Sequence, residues 1–113
     1  MTLKNPEMAS YEFLASMYDD DYFPKAQVDK VKAVLVQLCA RIESEKPADA
    51  EALMELTHAA VEQINDLQED FEENGSEIET GAREAIADDF RHIVETYGFE
   101  NLDIEEVIAP REW

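Results

Sequence analysis

The stretch DFEENGSEIETG, residues 70–81, sets acids and amides at the spacing of a calcium-binding loop. Such a loop takes oxygen ligands from its first, third and fifth positions, a glycine at the sixth and a bidentate Glu at the twelfth. Counting from Asp70, the third position is Glu72, the fifth Asn74 and the sixth Gly75. The eighth, ordinarily apolar, is Glu77, and the twelfth is Gly81, so the bidentate carboxylate is missing. Helix punctuation accounts for the same residues without a metal. Asn74-Gly75 tolerates the left-handed conformation that closes helices. Ser76 through Glu79 has the form of a capping box, with Ser76 accepting from the Glu79 amide and the Glu79 side chain returning to Ser76. Asp70 and Glu72 remain the candidate metal ligands of this stretch.

The two histidines raise a second metal hypothesis. Glu55 precedes His58 by three residues and Asp89 precedes His92 by three. Paired Glu-x-x-His motifs build di-iron centres in helical bundles, which add one Glu from each of two further helices. At 100° per residue, however, Glu55 lies about 200° and His58 about 140° from Leu53, on the flank or outside of the apolar stripe. Asp89 flanks the Ile86–Phe90 face and His92 points farther out. The second helix offers only Asp29 and Glu43, near its ends. Spacing favours surface pairs instead, His58 with Glu62 and Asp88 with His92. Nucleophilic chemistry has less support: Cys39 lies between Leu38 and Ala40 in an apolar helix, and surrounding negative charge disfavours a thiolate. No glycine-rich phosphate loop and no Ser-His-Asp signature occurs. The reading leans away from an enzyme, and no cofactor is implied.

The acids themselves carry the main signal. From Pro47 through Ala82 there are eleven and no Lys or Arg. Glu69, Asp70, Glu72 and Glu73 crowd the last turns of a predicted helix, where the negative end of the dipole disfavours anions. Together with Glu77 they are the candidate partner-binding residues. A local rule broken without compensation is where function tends to sit.

The elements that must position these residues follow from periodicity. Of 113 residues, 28 are acidic and nine are Lys or Arg, a net charge of −19, while 45% are hydrophobic. Three glycines and four prolines leave few turns, and helix formers dominate. The expectation is an all-α fold, a compact bundle of four principal helices with short terminal helical elements, forming one domain over 1–113. The first helix is predicted from Asn5-Pro6 to Tyr18 and the second from Pro24 to Glu45. The third runs from Asp49 to Asn74, the fourth from Glu77 to Tyr97, and a short element lies within 103–109. The second is apolar around much of its circumference, which places it centrally.

Negative charge argues against nucleic-acid phosphates and anionic membranes as partners. No apolar run approaches the ~18–20 residues of a membrane span. The N-terminus lacks the layout of a signal peptide, and one cysteine cannot form an internal disulfide, so a cytoplasmic location is expected. A basic protein partner fits the charge. A homodimer through Tyr22-Phe23 or Trp113 is a further expectation.

The segments SYEFLASMYDDDYFP (10–24), FEENGSEIETGAREAIADDF (71–90) and the closing YGF…IAPREW (97–113) resemble an uncharacterised bacterial family of small acidic helical proteins, a domain of unknown function. The resemblance spans nearly the whole chain and implies a stand-alone domain. It implies no activity, cofactor or catalytic residue. The function expected is a non-catalytic interaction module whose acidic face meets a basic partner, immunity-protein-like or antitoxin-like, or a mimic of nucleic-acid charge. The alternative is a divalent-metal-binding protein using Asp70 and Glu72 or His58 and His92.

Overall fold

A computed structural model describes residues 3–113, and among these every regular element is helical. The elements are α1 (Pro6–Ser10), α2 (Ala15–Tyr18), α3 (Lys25–Glu45), α4 (Ala50–Glu73), α5 (Thr80–Thr96) and α6 (Ile104–Val107). The all-α bundle expected from composition and periodicity is what forms.

α3 and α4 make the principal pairing, joined by a turn short enough to make them antiparallel. α3 buries Val28, Val31, Leu35, Leu38, Cys39 and Ile42, the stripe its spacing predicts. Facing it, α4 buries Leu53, Leu56, Ala60, Val61, Ile64 and Phe71. α5 adds Ala82, Ile86, Phe90, Ile93 and Val94, and packs against α1, α2 and α3. Among the described residues no helix is long and apolar enough to cross a membrane.

The first predicted helix divides into two short ones. Asn5 caps α1 through its side-chain oxygen, which accepts from the amides of Glu7 (2.9 Å) and Met8 (3.2 Å), and Pro6 takes the first helical position. The chain then opens at Tyr11, and Leu14 adopts a left-handed conformation, φ 55°. The break has a packing cause. On a straight helix Met8 and Met17 point about 180° apart. Both are almost wholly buried here, together with Phe13 and Leu14, and only a bent chain can turn them all inward.

The junction between α4 and α5 also departs from the expected form. Gly75, at φ 77°, ends α4 in a Schellman motif. The Ser76 amide donates to the Phe71 carbonyl (2.9 Å) and the Gly75 amide to that of Glu72 (3.1 Å). The capping box does not form. α5 begins at Thr80 with Glu79 as a cap that makes no side-chain capping bond, and among the described residues the buried Ser76 hydroxyl finds no partner. The cause is Ile78, which is drawn into the core, while the Glu79 amide turns back to the Glu77 carbonyl (3.1 Å) rather than to Ser76. The Gly98 turn repeats the Schellman geometry, with the Phe99 amide on the Val94 carbonyl at 2.8 Å.

The segment after α5 buries Val107, Ile108 and Trp113 in the core, and α4 side chains bond its backbone groups. Thr57 Oγ1 donates to the Val107 carbonyl (2.9 Å), and His58 Nε2 lies 2.8 Å from that of Glu106. Asn65 grips the segment in both directions. Its amide nitrogen donates to the Pro110 carbonyl (3.1 Å) and its oxygen accepts from the Glu112 amide (2.9 Å).

Candidate functional site

α4 has no Lys or Arg in its 24 residues. Its buried stripe faces α3, which leaves Glu51, Glu55, Glu62, Asp66, Glu69 and Glu73 along the solvent side, all exposed. Their spacings of four, seven, four, three and four residues keep them on one helical face. The ridge runs the length of the helix, about 36 Å at the α-helical rise. Like charges four residues apart, as at Glu62 and Asp66 or Glu69 and Glu73, work against the helix that carries them.

The predicted partner-binding residues gather at the C-terminal end of this ridge. Glu69, Glu72, Glu73 and Glu77 are exposed, and among the described residues none forms an ion pair. Asp70 differs, because it turns toward α3. Lys30 Nζ lies 2.8 Å from its carboxylate and Gln27 Nε2 lies 3.3 Å away. The Lys30 hydrogen bond, foremost among these influences, holds the Asp70 carboxyl below its ordinary range. Beside the acids stands Tyr22, the exposed large hydrophobic residue among the described residues, whose hydroxyl reaches Glu79 at 3.2 Å.

The metal candidates are not brought together. Asp70 and Glu72 lie within the last turns of α4 rather than in a loop. His58 is engaged with the Glu106 carbonyl; since a carbonyl only accepts, Nε2 carries the proton there. His92 stacks on Tyr11 with ring centroids 4.3 Å apart and sits 3.7 Å from Glu7. The expected surface partnerships, His58 with Glu62 and His92 with Asp88, are thus replaced by contacts to other elements. Among the described residues no three His, Cys, Asp or Glu side chains converge as a metal site. The dimer contact expected of the aromatics reduces to Tyr22, because Phe23 and Trp113 are both buried.

Two carboxylates that the sequence offers only as possible metal ligands prove central to the packing instead. Asp89 is 4% exposed and accepts from the Tyr11 hydroxyl (2.6 Å) and the Leu14 amide (2.8 Å), pinning the α1–α2 corner to α5. Burial raises its carboxyl, and those two bonds counter the rise only in part. The signal was present: Asp89 lies three residues after Ile86 and four before Ile93, on the apolar face. Glu43 accepts from the amides of Lys4 (2.8 Å) and Asn5 (3.0 Å) and from the Tyr97 hydroxyl (2.5 Å). Burial works to raise its carboxyl, but the Tyr97 and amide bonds prevail and hold it low. No local pattern marks Glu43, since its partners lie 38 to 54 residues away.

Fold and surface together define a class, an all-helical and strongly acidic protein with carboxylates concentrated along one helix. The chain belongs to the family of unknown function DUF5713, whose profile matches residues 7–113, in keeping with the resemblance carried by 10–24, 71–90 and 97–113. No curated protein and no solved structure matches it.

Proposed function

We propose that this chain is a non-catalytic, cytoplasmic interaction module that uses the C-terminal end of the α4 ridge to bind a basic protein. Glu69, Glu72, Glu73 and Glu77 supply the charge, and Tyr22 supplies an aromatic contact at its edge. The observation that carries the reading is the ridge itself: carboxylates repeat along one exposed face of α4 with no cation on that helix. A partner presenting Lys or Arg relieves this repulsion on binding, and electrostatic attraction speeds its encounter. Tyrosine beside charge is a frequent anchor in such interfaces. An immunity-protein or antitoxin role, or mimicry of nucleic-acid charge, would each use the surface in this way.

The test is affinity capture from the source lysate at low and moderate ionic strength, with the parent chain and with a Glu69→Lys, Glu72→Lys, Glu73→Lys variant in parallel. A basic protein retained by the parent, weakened by salt and lost with the variant supports the reading. Capture that is equal for both chains, or the absence of any salt-sensitive partner, refutes it.

A further inference from the structure

At the end of α3 opposite the acidic cluster of Glu69, Glu72, Glu73 and Glu77, a groove of about 460 Å³ opens between the α3–α4 turn, the end of α5 and the N-terminal segment. Lys46 lies 16 residues beyond Lys30, so the two regions are about 24 Å apart along the helix. The groove has a traceable local origin. Lys46 adopts a left-handed conformation, φ 48°, and turns the chain so that Pro47 forms one wall. The Schellman turn at Gly98 folds Phe99 back beside Tyr97 to form another. Glu43 holds the amides of Lys4 and Asn5, which fixes the N-terminal segment as the third.

The lining divides into a body and a head. Ile42, Pro47, Tyr97 and Phe99 supply apolar surface. Glu43 also lines the groove, but its carboxylate already receives two amides and the Tyr97 hydroxyl, so its acceptor capacity is largely used within the chain. The ammonium groups of Lys4 and Lys46 are exposed, and neither forms an ion pair among the described residues. In a protein with 28 acids and nine Lys or Arg, two unpaired cations thus border one apolar hollow. Its volume falls in the range of small-molecule sites, roughly 300–1,000 Å³.

We infer that this groove binds a small amphipathic carboxylate, its hydrocarbon or aromatic body against Ile42, Pro47, Tyr97 and Phe99 and its head between Lys4 and Lys46. Two cations against one internally satisfied carboxylate leave a net positive rim, which selects an anionic head over a neutral or cationic one. The site lies apart from the cluster of Glu69, Glu72, Glu73 and Glu77 and does not rest on the interaction role proposed for it.

Three compounds with one body and different heads test this: phenylbutyrate, phenylbutanol and phenylbutylamine, each titrated into the full chain and followed by two-dimensional amide NMR. Phenylbutyrate is expected to give saturable shifts at the amides of Ile42 through Lys46 and Tyr97 through Phe99. The alcohol should bind about tenfold more weakly and the amine more weakly still. A Lys4→Gln, Lys46→Gln variant should bring phenylbutyrate to the level of the alcohol, with amide positions far from the groove unchanged as the control for folding. Equal affinity for the three heads, shifts centred elsewhere, failure to saturate, or an unaltered response in the double variant would each overturn the assignment.

Discussion

Asp89 offers the sharpest test of how the fold is held, because two substitutions separate its charge from its hydrogen-bonding role. Alanine removes both acceptors. The Leu14 amide then lies unpaired in a buried, left-handed turn, at a cost of about 1–3 kcal/mol, and the Tyr11 bond is lost for about 1 more. Asp89→Ala should therefore destabilise by about 2–4 kcal/mol. Asparagine keeps one acceptor for the Leu14 amide, and its NH₂ can donate to a Tyr11 hydroxyl rotated to accept. Asp89→Asn should cost about 1 kcal/mol or less. Urea unfolding at constant m-value reads both.

The pH dependence fixes the sign. The folded-state carboxyl is raised by burial, so the native chain holds the proton more tightly than the unfolded chain. The contribution of Asp89 is full below the unfolded value of about 3.9 and declines as pH rises through the folded value. The D89N variant lacks this decline, so the advantage of the parent over D89N should shrink as pH rises from about 3.9 through the raised folded value. Asparagine as costly as alanine, or an advantage that grows with pH, would mean that the charge and not its acceptor geometry secures the corner.

Two further outcomes follow from the backbone and from burial. Lys46→Gly removes a side chain from a left-handed position and should stabilise the fold by about 0.5–1 kcal/mol, seen as a Tm rise of a few degrees; Lys46→Ala, which keeps a Cβ there, should not. Cys39 is fully buried, and burial, followed by the nearby Glu43 carboxylate, pushes its thiol up to about 12. A chromogenic disulfide reagent near pH 8 should label it only on unfolding, and prompt labelling of the native chain would contradict this burial.

What could be read in the sequence and what could not divide along a physical line. The stripes of α3 and α4 were readable because helical periodicity is local, and the acidic ridge because charge is a matter of composition. The break at Leu14 was not, since its amide is held by a carboxylate 75 residues away and its cause is the opposed burial of Met8 and Met17. The Ser76–Glu79 box failed for a related reason: a correct local signal lost to the burial of Ile78. Asn74-Gly75 was read correctly as a stop, because the left-handed conformation it needs is intrinsic to those residue types. Glu43 and Asp89 show where such reading ends. Both are defined by partners that only the folded chain brings near.

Thr57, His58 and Asn65 grip carbonyls and an amide of the segment 106–112 rather than its side chains. Such a grip is indifferent to what Glu106 and Glu112 are, because any residue offers the same backbone. Heredity should therefore act unevenly on the two sides of this contact. The α4 residues are constrained, while those two tail positions are free to drift so long as Val107, Ile108 and Trp113 still fill the core. Correlated substitution between relatives, which exposes contacts made side chain to side chain, would pass over this one.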